Sequence, residues 1–110
     1  MQSTLAERSC IPCTGATPRL SPEAIGSLLA ELGGGWRVSG GLRLEKTCKF
    51  ADFRSALAFT NRVGEVAEAE GHHPDIHLTW GRVDLGIWTH AVDGLTEADF
   101  ILAAKINRLA

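Results

Sequence analysis

The stretch Asp75-Ile76-His77-Leu78-Thr79-Trp80-Gly81-Arg82-Val83-Asp84-Leu85-Gly86-Ile87-Trp88-Thr89-His90 decides the fold. It reads as two strands, roughly 75 to 80 and 83 to 90, joined near Gly81. Val83, Leu85 and Ile87 fall on one face of the second strand. Asp84, Gly86, Trp88 and His90 fall on the other. Period-two alternation means one buried face and one wet or paired face. His72-His73-Pro74 sits at the mouth of the first strand, and His90 ends the second. A hairpin between them predicts all three rings on one rim.

Upstream of the histidine pair lies a long helix, about 52 to 70. Asp52 suits its N-cap, and Phe53, Ala56, Phe59, Val63, Val66 and Ala67 form its apolar stripe. Gly71 stops it. Its last turn carries Glu65, Glu68 and Glu70, which the helix dipole disfavours at that end. Broken local rules sometimes mark a site, although a solvated acidic face is the plainer account.

Further upstream, Ser21 caps a first helix with Pro22 at its first position. Ile25, Leu28, Leu29 and Leu32 recur on one helical face, and Gly33-Gly34-Gly35 ends it. Trp36-Arg37-Val38-Ser39 reads as a short strand, and Gly40-Gly41 as a tight turn. In the next strand Leu42, Leu44, Cys48 and Phe50 alternate with Arg43, Glu45, Thr47 and Lys49, while Lys46 breaks the apolar face. Downstream, Thr96 caps a third helix, with Asp99 near the position of a capping-box acid. Phe100, Ala103, Ala104 and Asn107 face one way. Ile101, Leu102, Ile106 and Leu109 make this helix apolar on further sides, which predicts cover from a partner subunit.

The element order is α-β-β-α-β-β-α. It predicts an α+β fold, a four-stranded antiparallel sheet with three helices packed on one face. Residues 1–20 read as an N-terminal arm, punctuated by Pro12, Gly15 and Pro18, and residues 21–110 as a single domain. Exposed sheet edges invite pairing, so a homo-oligomer is expected.

The chain has 110 residues and a formal net charge of -2. That is enough for one domain with a real core. The cations are scattered singly, which speaks against direct nucleic-acid binding. No apolar run approaches the roughly 18 to 20 residues of a membrane span. The first residues lack the order of a secretion signal, so a cytoplasmic protein is expected. Cys10, Cys13 and Cys48 are an odd set, unsuited to a disulfide framework. Cys10-Ile11-Pro12-Cys13 has the gap of a metal or redox pair. No second pair follows at zinc-finger spacing, so it reads as a plain loop.

Histidine is the side chain best suited to moving protons near neutral pH. Three readings compete for His72, His73, His77 and His90: proton-transfer catalysis, a metal site, and ordinary surface or structural histidines. Metal is the weakest. Neighbouring strand side chains point to opposite faces, and no helical His-x-x-x-His pair or recognisable carboxylate spacing exists, Asp75 included. His77 reads as an exposed strand residue. Pro74 fixes the backbone after the pair, and Trp88 beside His90 offers a floor for a flat heterocycle. The residues alone leave catalysis and chance both open.

Glu68-Ala69-Glu70-Gly71-His72-His73-Pro74-Asp75-Ile76, Trp88-Thr89-His90 and Gly94 through Ile106 strongly resemble the pterin-4a-carbinolamine dehydratase family. The Cys10–Cys13 arm, the Gly-Gly-Trp36 segment and Asn61-Arg62-Val63 resemble its bacterial members. The resemblance implies dehydration of 4a-hydroxytetrahydropterin to quinonoid dihydropterin, recycling the pterin of aromatic amino acid hydroxylases. It implies no metal or organic cofactor, and a homodimer or homotetramer. His72 and His90 match histidines that would serve as acids, and His73 a base or orienter. Glu68 matches an acid that polarises a histidine, and Trp36 an aromatic near the pterin. Pro74 and Trp88 complete the expected binding set. Gly71, Ala98 and Gly81 depart from the Asp, Arg and Asn of other members, which touches substrate anchoring and not the histidines. Animal relatives also act as dimerisation cofactors of a homeodomain transcription factor, and some bacterial and plastid relatives resemble assembly or regulatory factors without activity, so a non-catalytic module of the same fold is the competing expectation.

Overall fold

The computed structural model describes residues 5–10 and 17–109. Cys13, Pro12 and Gly15 lie outside the described residues. The helices are α1 (Pro22–Leu32), α2 (Phe53–Glu70) and α3 (Glu97–Asn107). The strands are β1 (Arg37–Ser39), β2 (Arg43–Lys49), β3 (Asp75–Thr79) and β4 (Arg82–Ile87). The sheet order is β1-β2-β4-β3, and each neighbouring pair is antiparallel. This is the α+β architecture that the hydrophobic periods predict. Short 3-10 turns at Leu5–Glu7 and His90–Val92 complete it.

Local chemistry explains the helix ends. The Ser21 side chain accepts the Ala24 N–H, and Asp52 accepts the Ser55 N–H at 2.7 Å. Gly71 closes α2 in the left-handed conformation at φ 64°, which a residue with a Cβ adopts only at a cost. The chain therefore turns sharply just before His72.

One core unites the helices with one face of the sheet. Leu44, Val83, Leu85 and Ile87 come from the strands, Ala56, Phe59 and Val63 from α2, and Phe100, Leu102 and Ile106 from α3. The stripe on α2 is narrower than its sequence suggests, because Phe53 at the first turn is 49% exposed. Leu42 is also 49% exposed, since β2 begins only at Arg43 and the preceding turn swings outward. Lys46 shares the face of Leu44 and Cys48. Its amine reaches Asn107 Oδ1 at 3.3 Å and lies 5.7 Å from the Trp36 ring.

The apolar girth of α3 has a different cause from the one expected. Ala98 through Ala104 and Ile106 are all buried within this chain. The sheet side, α1, α2 and the arm enclose the helix together. Leu5 of the arm enters the core, Lys105 donates to the Ala6 carbonyl at 2.9 Å, and Arg8 pairs with Glu97 at 2.8 Å. The all-round apolar pattern therefore marks a central helix and does not itself require a partner subunit.

Candidate active site

The register of the hairpin builds the site. Asp75 pairs with Gly86, so the residues preceding Asp75 lie beside those following Gly86. His72 and His73 are thereby set next to Trp88, Thr89 and His90. β4 ends at Ile87 and does not continue to residue 90 as expected. Thr89 makes an isolated bridge to Gly94, and the chain curls into the His90–Val92 turn, closed by Asp93 at φ 49°. This turn, and not strand alternation, presents His90.

A cavity of about 260 Å³ is lined by Gly71, His72, His73, Trp88, Thr89, His90 and Ala91. All three histidines of the predicted trio share it. Its size is close to the lower end of the roughly 300–1,000 Å³ typical of small-molecule sites. Trp88 and His90 stack, with ring centroids 4.2 Å apart and planes inclined by 12°. That pair forms a flat wall.

His72 is held from behind by Asp99. Its Nε2 lies 2.6 Å from Asp99 Oδ1, and its side chain is only 14% exposed. Asp99 itself is fully buried. A buried carboxyl needs donors, and it has them. The Thr96 N–H and the Thr89 hydroxyl both donate to Oδ2 at 2.8 Å. The Thr96 hydroxyl lies 2.9 Å from the Thr89 hydroxyl and donates to it, because the Thr89 proton is already committed to Asp99. Oδ1 is left to receive His72 Nε2–H. This fixes the ring, the same orienting role that a carboxylate plays behind a catalytic histidine elsewhere.

His73 turns to a different partner. Its Nε2 lies 2.8 Å from Glu68 Oε2 in an exposed pair. Glu70 accepts the Cys10 N–H at 2.9 Å and lies 3.7 Å from Lys105 Nζ. Two of the three acids that break the dipole rule on α2 therefore have tertiary partners. Pro74 links the histidine pair to β3 without lining the cavity. His77 is exposed on β3, outside the cavity.

Trp36 is not at this cavity. It is 7% exposed, and its indole N–H donates to Asn107 Oδ1 at 2.8 Å. Its indole fastens the α1–β1 connection to the end of α3, away from the cavity that the histidines share. Asp99 was legible in sequence only as a capping acid, and Thr89 not at all. Among the described residues, no three His, Cys, Asp or Glu side chains are arranged to hold a metal ion. Among them, too, no helix is long and apolar enough to cross a membrane.

Comparison with known proteins finds relatives in both sequence and structure. The family described as pterin 4 alpha carbinolamine dehydratase matches residues 18–109. A Rubrobacter xylanophilus protein named as a candidate pterin-4-alpha-carbinolamine dehydratase is 49% identical, over 97% of this chain and 99% of its own. A crystal structure from Brucella melitensis, titled a transcriptional coactivator/pterin dehydratase, superposes with a TM-score of 0.79 at 34% identity, covering 84% of this chain and 99% of that one. A pterin dehydratase-like protein identified as a RuBisCO assembly factor in the alpha-carboxysome is more distant, with a TM-score of 0.60 and 26% identity over 69% of this chain and 89% of that one.

Proposed function

This chain belongs to the pterin 4 alpha carbinolamine dehydratase family, and on that premise we propose that it removes water from 4a-hydroxytetrahydropterin by histidine acid–base chemistry. The observation that carries the reading is the single cavity shared by His72, His73 and His90. The 4a-hydroxyl leaves poorly until it is protonated. A general acid gives it a proton, the carbon–oxygen bond breaks and water departs. A base takes the proton from the adjacent ring nitrogen, whose electron pair forms the new carbon–nitrogen double bond of quinonoid dihydropterin. Each assisted transfer is typically worth about 10²- to 10⁴-fold.

His72 and His90 are assigned as the acids and His73, with Glu68 behind it, as base or orienter. Trp88 lines the cavity edge and backs the His90 ring. The pterin would come from an aromatic amino acid hydroxylase, and the chain would work as a homodimer or homotetramer in the cytoplasm. A binding module is the competing reading, supported by a transcriptional coactivator/pterin dehydratase and a RuBisCO assembly factor among the solved neighbours. Three imidazoles around one cavity favour catalysis, because a scaffold has no chemical need of them.

The test is to generate the carbinolamine with a hydroxylase and follow its decay with and without this protein. Acceleration is expected. His72→Ala and His90→Ala are each expected to slow it by about 10²-fold or more with the fold intact by circular dichroism. An unchanged decay rate in the presence of the wild-type chain would leave the binding-module reading in its place.

A further inference from the structure

The histidine rim is assembled from two separate pieces of chain. His72-His73-Pro74 leads into β3, while Trp88 and His90 follow β4. Arg43, on β2, touches both. Its guanidinium carbon lies 4.5 Å from the centroid of the Trp88 ring, within cation–π range. Its Nη2 lies 3.7 Å from Asp75 Oδ2, one residue beyond the His-His-Pro segment. Its Nε is buried, 3.3 Å from Glu45 Oε2, in an ion pair without hydrogen-bond alignment.

The sheet is built to admit this side chain. Gly86 lies between the two contacts, paired with Glu45 on one side and Asp75 on the other. A Cβ at residue 86 would collide with the Arg43 guanidinium. Glycine weakens a strand interior, and it commonly marks a place where another group approaches closely. The group that approaches here is the guanidinium.

We propose that Arg43 is a positioning residue for the dehydration, holding the Trp88–His90 stack and the His72–His73 segment in one geometry; this rests on the functional reading above. Arg43 reaches the cavity lining only at Trp88 and, on this account, touches none of the reacting atoms. It acts through Trp88 on one side and Asp75 on the other. A planar fork suits both tasks at once, since it stacks on an aromatic face and pairs with carboxylates at its edge.

The experiment reads the stack without substrate. The imidazole Hε1 proton of His90, identified in NMR spectra by its loss in His90→Ala, is expected upfield because of the indole ring current at 4.2 Å. In Arg43→Gln this signal moves toward the position of an unstacked imidazole. Turnover number falls on the order of tenfold to a hundredfold, the scale of a misplaced catalytic group, with KM little changed. Arg43→Lys keeps the charge but not the plane, and gives the same displacement. Gly86→Ala, which evicts the guanidinium while retaining the arginine, carries the same test should Arg43→Gln fail to fold. An upfield His90 signal that persists in these variants overturns the proposal, whatever happens to turnover. A wild-type chain with the His90 signature intact but no dehydration overturns the functional reading instead.

Discussion

At the scale of single residues, Asp99 is tightly constrained. It is fully buried and receives the Thr96 N–H, the Thr89 hydroxyl and His72 Nε2. Asp99→Ala leaves three donors unmatched, and a loss of about 3 kcal/mol is expected in urea unfolding. Asp99→Asn nearly preserves the volume but offers an amide in place of one oxygen. It is expected to keep more stability while still lowering turnover, because the amide no longer fixes the His72 tautomer. Equal stability and equal turnover in Asp99→Asn would show that the carboxyl is a helix cap and nothing more. Cys10 gives a second residue-scale prediction. Burial, with Glu70 beside it, pushes its thiol up to about 12. The thiolate is the reactive form, so Cys10 is expected to alkylate far more slowly than an exposed cysteine. In a Cys13→Ser, Cys48→Ala background its iodoacetamide rate should keep climbing with pH well past the point where an ordinary thiol saturates. Glu70→Gln should raise the rate at fixed pH, and a plateau near the ordinary thiol range would contradict the burial of this side chain.

At the scale of elements, α2 sets the entry to the site, because Gly71 ends it one residue before His72. Its N-terminus depends on Asp52, whose carboxyl is held below the usual range chiefly by the hydrogen bond from the Ser55 N–H. A carboxyl depressed in the folded state stabilises above its unfolded pKa, about 3.9, and ceases to do so as pH falls through the folded value. Asp52→Ala should therefore lower the melting temperature near neutral pH, and the gap between variant and wild type should close in acid. A gap independent of pH would mean that the carboxylate is not the cap. Secondary structure at this scale was readable from the chain: the caps at Ser21 and Asp52, the glycine stop and the period of each strand all rest on neighbouring residues. The end of β4 was not. Alternation through Trp88 and His90 continues on paper, but Thr89 is captured by Gly94 and the strand curls away.

At the scale of the whole molecule, the arm and the open side of α3 belong to one core. Leu5 is buried against it although it lies far from α3 in the chain. Leu5→Ala is expected to cost about 2 kcal/mol in chemical denaturation, at the low end for a buried leucine because the site borders solvent. A neutral result would mean that the arm is not docked. What the amino-acid sequence determined by itself was the succession of helices and strands, the face that most of them bury, and the hairpin that sets His72 and His73 beside the end of β4. These follow from hydrophobic period, capping chemistry and hairpin closure, all of which act over a few residues. Only the tertiary structure decided that Asp99, 27 residues from His72, stands behind it, that Trp36 belongs to Asn107, 71 residues away, and that Arg43 lies over Trp88. The reason is physical: a buried polar group takes whichever donor or acceptor the packed core brings within reach, and no local pattern in the chain records that choice.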